Sequence, residues 1–295
     1  MTPLRNLPSA CLYNSSIKVE FLTTAGPRII GLFLNGKDGN ILGSADDVCY
    51  DTPYGEYFLI GGHRLWHAPE AFPRSFLPDG DGLQIEYGNR QVVLIQPDEP
   101  GTHYRKSIAI TLDDEKPLLQ VIHTIQNNSL VKVELAPWAI TLLPLGGVAV
   151  LPTSAPYQGE YAPNRQISLW HYTRWEDDRL TIKNDHLLVQ GESRNHPFKI
   201  GYFNHVGWAA YWDKGVLLIK RFNPEFTKIH TDQNSNFECF CYNKFIELES
   251  LGPLTALEPG ESITHIETWS VLSDIPNPMT LQGDDSIEQK LGLLE

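Results

Sequence analysis

Cysteine is scarce in this chain: Cys11, Cys49, Cys239 and Cys241 are the only four in 295 residues. They are too few and too scattered for a disulfide-built secreted domain. No CxxC pair is present, which excludes a zinc ribbon. Cys239 and Cys241 stand at strand spacing, so both thiols are expected on one side of a strand. Long apolar runs are missing too. Nowhere do eighteen consecutive apolar residues occur, so no membrane-spanning helix is expected. The first thirty residues hold no basic segment followed by a long apolar run, since Arg5 leads into Asn6, Pro8 and Ser9. The expectation is a soluble cytoplasmic protein, in which the sequons at Asn14-Ser15-Ser16 and Asn127-Asn128-Ser129 carry no glycan.

Positive charge is in deficit, with 23 Lys and Arg against 36 Asp and Glu and a net charge of −13. A diffuse negative surface opposes phosphate backbones and anionic lipid, so neither a nucleic-acid nor a membrane partner is expected. The nucleophile-elbow pattern GxSxG, a Walker loop and a strand-borne GxGxxG are all missing. Serine-hydrolase triads, nucleotide kinases and dinucleotide oxidoreductases therefore drop out, and no cofactor is implied. No repeat of 20 to 50 residues points to a propeller or solenoid. No Pro/Ser-rich linker divides the chain.

What the chain does contain is punctuation: 23 Gly and 21 Pro separate short runs rich in Val, Ile, Leu, Thr and aromatics. Leu119, Val121, His123 and Ile125 alternate with Gln120, Ile122, Thr124 and Gln126, a period of two. Helical periodicity is confined to Ser286–Leu294. More than a dozen such runs exceed an immunoglobulin domain and predict an all-β fold, a large two-sheet β-sandwich. Residues 1–295 read as a single domain, with a core over about 17–272 and a C-terminal tail over 273–295. The longest irregular stretches are expected at Asp46–Arg74, Pro97–Tyr104 and Thr153–Arg165, where a rigid scaffold would carry functional groups.

Two clusters carry chemistry. In Gly61-Gly62-His63-Arg64-Leu65-Trp66-His67-Ala68-Pro69-Glu70, His63 and His67 fall on one side of the backbone. Arg64 supplies a permanent cation of fork geometry, and Trp66 a flat face suited to a sugar ring. The same segment reads equally as a structural loop with its histidines bonded to backbone. In the second cluster, Phe245 to Leu254, strand geometry puts Phe245, Glu247, Glu249 and Leu251 on one face and Ile246, Leu248 and Ser250 on the other. Two like charges on one face raise a carboxyl pKa in a partly dry site, as a general base near neutrality requires. A metal held by His63, His67 and a carboxylate has no supporting HExxH-type spacing, and no metal is expected.

These segments, with Gly26-Pro27-Arg28-Ile29-Ile30-Gly31-Leu32 and His265-Ile266-Glu267-Thr268-Trp269, resemble the galactose-mutarotase-like (aldose 1-epimerase-like) superfamily, in an uncharacterised branch. The resemblance implies a β-supersandwich whose concave sheet face binds sugar. It also implies that Glu249, in Leu248-Glu249-Ser250, takes the proton from an anomeric hydroxyl while a histidine protonates the ring oxygen. The chain departs from that pattern. Pro137-Trp138-Ala139-Ile140 stands where the acid histidine is expected, and Gly201 precedes Tyr202-Phe203-Asn204. Either His67 or His63 takes the acid role, or the protein binds sugar without epimerising it.

The expected ligand is thus a small-molecule carbohydrate, with Glu249, His67 and His63 as the catalytic set. Arg64, Trp66, Glu247, Arg74 and Glu70 are the expected binding set. Seven tryptophans, among them Trp138 and Trp170, would serve a non-catalytic binding module equally well. A glycosidase or lyase using Glu247 and Glu249 ranks last, because neighbours on one strand face project in parallel rather than flanking a bond.

Overall fold

The computed structural model describes residues 7–153, 161–283 and 285–293. Two ten-stranded sheets and one hairpin make up the strand framework. The first sheet runs β1 (Ser9–Tyr13), β2 (Ile17–Leu22), β3 (Arg28–Leu34), β6 (His63–Ala68), β11 (Val133–Pro144), β20 (Phe245–Leu251), β19 (Phe237–Tyr242), β16 (Phe198–Tyr202) and β13 (Ser168–Leu169), with β21 (Thr255–Leu257) paired to β11. The second runs β14 (Leu180–Ile182), β15 (His186–Gln190), β12 (Val148–Pro152), β17 (Trp208–Asp213), β18 (Val216–Phe222), β22 (Ser262–Leu272), β10 (Leu118–Asn127), β9 (Tyr104–Leu112), β8 (Gln91–Ile95) and β7 (Gln84–Gly88). The hairpin joins β4 (Ser44–Thr52) to β5 (Gly55–Gly61). The expected two-sheet sandwich is what forms.

Alternation in sequence becomes alternation of faces. Val121 and Ile125 of β10 and Ile246 and Leu248 of β20 turn into the core between the sheets, as do Cys239 and Cys241 of β19. Both thiols therefore share one side, as their spacing requires. A second apolar cluster lies on the outer face of the first sheet, where Trp66, Trp138, Ile140, Leu142 and Leu251 pack under Tyr57 and Leu59 of the hairpin. Ile287 and Leu291 of the C-terminal segment cover the outer face of the second sheet beside Val150, Leu188 and Ile219. Burial of each such side chain stabilises by about 1.5–3 kcal/mol. The helix that presents them, Ile287–Lys290, begins at a Ser286–Gln289 capping box. Leu294, at the end of the periodic stretch, lies outside the described residues.

One irregular stretch is corrected. Asp46–Arg74 contains most of β4 and all of β5 and β6. Its glycines mark turns between strands rather than a loop. Gly62, at φ 65°, sits where a Cβ would lie 2.0 Å from Ile29 O, so β6 enters the sheet only because no side chain is there. Of Thr153–Arg165, positions 154–160 lie outside the described residues. The sequon amides are engaged in structure: Asn127 is fully buried and donates to Val131 O and Leu257 O, and Asn14 donates to Asp113 O and Lys116 O.

Candidate functional site

Register decides which side chains meet. Arg64 of β6 pairs with Ile140 of β11, which pairs with Glu249 of β20, which pairs with Glu238 of β19. All four stand on the outer face of the first sheet, joined by Trp66, Trp138 and Glu247 two residues along the same strands and by Lys199 of the neighbouring β16. A pocket of about 460 Å³ opens over this face, lined by Tyr50, Glu70, Phe76, Trp138, Trp170, Lys199 and Asp232 among others. That volume is within the range of small-ligand sites.

Lys199 is the hub. Its ammonium lies 2.7 Å from Glu238 Oε2 and 3.0 Å from Glu249 Oε2, over the rings of Trp138 and Trp170 at 4.6 and 4.8 Å. Burial alone would push the Lys199 pKa down, but the two carboxylates hold it well above the usual lysine value. Trp138 Nε1 donates to the same Glu249 oxygen at 2.9 Å. Both described bonds of Glu249 fall on Oε2, which leaves Oε1 as the free oxygen. Glu238 is sealed; burial pushes its carboxyl well above the usual range, with Lys199 offsetting only part. Glu247 accepts from Arg64 Nη1 at 2.9 Å, and burial raises its pKa as well. The Arg64 guanidinium rests 4.5 Å over the Trp66 ring, whose Nε1 donates to Tyr57 Oη.

The structure therefore brings Glu249, Glu247, Arg64, Trp66 and Glu70 to one face. Glu70 lines the pocket itself, while Arg64, Trp66, Glu247 and Glu249 form the layer behind Trp138 and Lys199. Arg74 stands apart, donating to Pro69 O beside Tyr104. The two histidines are where the expectation needs correcting. In a strand Arg64 and Trp66 point one way, so His63 and His67 must point the other. Both are fully buried between the sheets, out of reach of a ligand in the pocket. Among the described residues no histidine lines the pocket. The sequence reading missed Lys199, Glu238 and Asp232. A lone lysine in Phe198-Lys199-Ile200 and a lone glutamate in Phe237-Glu238-Cys239, each set in an apolar run, were the signals.

His63 belongs instead to a closed network across the two sheets. Lys220 Nζ donates to Thr141 Oγ1, Leu248 O and Glu267 Oε1, at 2.6, 3.2 and 2.9 Å. His123 Nδ1 donates to His265 O, so its Nε2 must accept from His63 Nε2, 2.6 Å away. His63 Nδ1 then accepts from Thr141 Oγ1. Ser250 Oγ donates to Glu267 Oε1 and accepts from His265 Nε2, while Trp269 Nε1 occupies Glu267 Oε2. Each of these groups has its partner, and the only charges are one ammonium and one carboxylate.

His63, His123 and Glu267 also place ligand atoms within 4.8 Å of one another, as a metal site would. Two nitrogens on a tetrahedral zinc stand about 3.3 Å apart. Here they share a proton at 2.6 Å, and both Glu267 oxygens are taken. The donor set fits a proton better than a cation. His67 differs: neither ring nitrogen has a partner among the described residues, and Tyr104 packs edge-on against it at 5.1 Å.

Burial pushes the pKa of His63, His67 and His123 down, and that of His265 down to about 3. In a two-dimensional NMR titration all four rings are expected to protonate below the ordinary histidine value, His265 only near pH 3. The folded values lie below the unfolded one, so these rings contribute stability above about pH 6.5. That contribution is lost as pH falls below it, for His265 down to about pH 3. A ring titrating near 6.5 in the folded protein would contradict the network.

No family model matches the sequence, and no curated protein matches it. Solved structures do. A candidate aldose 1-epimerase from Escherichia coli K12 superposes at TM-score 0.56 and 16% identity over 90% of this chain and 99% of its own. A galactose mutarotase related enzyme from Lactobacillus acidophilus gives 0.55 and 11%, covering 92% and 99%. A candidate mutarotase from Salmonella typhimurium gives 0.57 and 10%, covering 89% and 90%. At these identities the likeness is one of fold: the chain has the galactose-mutarotase-like β-sandwich.

Proposed function

We propose that the protein binds an uncharged aldose in the pocket over β6, β11, β20, β19 and β16 and interconverts its anomers, with Glu249 as the general base. The observation that carries this reading is Glu249 itself. One oxygen is pinned by Lys199 and Trp138, which line the pocket, and the other has no partner among the described residues, in the layer directly behind them. Positioned bases contribute about 10²–10⁴-fold to such a proton transfer. Trp138 and Trp170 supply apolar faces for a sugar ring, and Tyr50 and Asp232 bring polar atoms to its hydroxyls.

Charge selects among sugars. The buried cations on this face are already committed, Arg28 to Asp79, Arg64 to Glu247 and Lys199 to Glu238 and Glu249. A phosphate or uronate would have to break a buried ion pair and sit beside the Asp232 side chain. Titration of tryptophan fluorescence with a panel of sugars tests the reading. Neutral aldoses are expected to change the signal, and their 6-phosphates and uronic acids to bind at least tenfold more weakly. Tight binding of a sugar phosphate would contradict it.

A non-catalytic binding module is the second reading. The inward turn of His63 and His67 favours it, because the histidine acid implied by the resemblance is missing from the pocket.

A further inference from the structure

If the ring is to open, a proton must reach the ring oxygen, and no histidine is placed to give it. We infer that Glu70 is the general acid, so that the pocket works with a pair of carboxyl groups instead of a glutamate and a histidine. This inference rests on the anomer-exchange reading.

The geometry leaves few other donors. Among the described residues that line the pocket, the titratable ones are Tyr50, Glu70, Lys199 and Asp232. Lys199 is held between two carboxylates, and Tyr50 keeps its proton because burial pushes its phenol up. Glu238 is fully buried and does not touch the pocket. Glu70 stands two residues past the end of β6 and carries no hydrogen bond or ion pair among the described residues. Its carboxyl shares the pocket lining with Lys199 and lies near enough to feel both that ammonium and Glu249 in the layer behind it.

The electrostatics suit the role. Burial raises the Glu70 pKa first; Glu249 and Asp232 raise it further, and Lys199 and Arg64 pull it back. Glu249 and Glu70 are thus one carboxylate pinned beside a cation and one carboxyl biased to keep its proton, the division of labour that acid–base pairs require. Asp232 is a positioning residue here. It sits in a turn where Asp232, Gln233 and Asn234 all have positive φ, at 50°, 59° and 66°. Non-glycine residues rarely take that conformation, let alone three in a row. Ser235 Oγ donates to Asp232 O, Ser235 N to Thr231 O and His230 N to Asn234 Oδ1, and these bonds hold it there.

The proton accounting closes without a co-reactant. Glu249 takes the proton from the anomeric hydroxyl as Glu70 gives one to the ring oxygen. The C1–O5 bond breaks and the C1–O1 pair becomes an aldehyde. After rotation about C1–C2, O5 attacks either face of the carbonyl. Its proton returns to Glu70 and the Glu249 proton returns to O1.

The test is the pH profile of anomer exchange for wild type, Glu70→Gln, Glu70→Asp and Asp232→Asn. Wild type is expected to lose activity as pH rises through the Glu70 pKa. Glu70→Gln is expected to lower exchange by about 10²–10⁴-fold and to abolish that alkaline limb. Glu70→Asp should retain the limb at reduced rate, which separates loss of the acid from loss of the fold. Asp232→Asn, by removing a negative charge, should shift the limb to lower pH. Unchanged exchange and an unchanged limb in Glu70→Gln, alongside an active wild type, would overturn the inference while leaving the proposed function standing. A wild type that accelerates no aldose would overturn both.

Discussion

Replacing Glu249 with Gln is expected to cut anomer exchange by about 10²–10⁴-fold while leaving sugar affinity within a few-fold of wild type. The asymmetry follows from the two oxygens. Glutamine keeps an acceptor for Trp138 Nε1 and fills the same volume, so the pocket walls stay in place. Lys199 loses one charged partner but keeps Glu238 at 2.7 Å. What disappears is the capacity to take a proton at Oε1. Exchange spectroscopy on the anomers and a fluorescence titration, run on the same variant, separate the two quantities. Parallel loss of both would make Glu249 a binding residue and move the protein to the binding-module reading.

The second large effect concerns the join between the sheets. Lys220→Met is expected to destabilise the fold by about 3–5 kcal/mol, lowering Tm by on the order of 10 °C. Lys220 and Glu267 are both fully buried, on the neighbouring strands β18 and β22. Burial alone would push the Glu267 carboxyl up, yet the Lys220 ammonium together with His63, His123 and His265 outweighs it and holds the carboxyl below the usual range. Remove the ammonium and a carboxylate remains in the core, with Thr141 Oγ1 and Leu248 O each short of a donor. Lys220→Met with Glu267→Gln removes both charges and is expected to recover a good part of the loss. Thermal melts of the single and double variants measure this. Equal Tm for wild type and Lys220→Met would show that Lys220 does not bind the sheets together.

Much of the fold was legible because strands announce themselves by alternation. Val121 and Ile125, or Ile246 and Leu248, could be assigned to the core from spacing alone, and the structure puts them there. The same rule put Glu247 and Glu249 on one face, and they share it. Applied to His63-Arg64-Leu65-Trp66-His67, it would also have put the histidines opposite Arg64 and Trp66. The glycine pair and the density of polar residues instead suggested a loop, for which no such rule holds. Lys199 and Glu238 were hidden for a different reason. Their role depends on strands that meet only through the cross-sheet order β20-β19-β16, and one sequence does not reveal which strands are neighbours. The inter-sheet network is still less visible, since His63, His123 and Lys220 lie on three strands far apart in the chain.

The central claim is that this sheet face handles an uncharged aldose. It is tested most directly by NMR exchange between the α and β anomers of a panel of neutral aldoses, with and without the wild-type protein. Accelerated exchange for at least one of them is the predicted result. Unchanged exchange for every aldose, with no change in tryptophan fluorescence, would contradict the account.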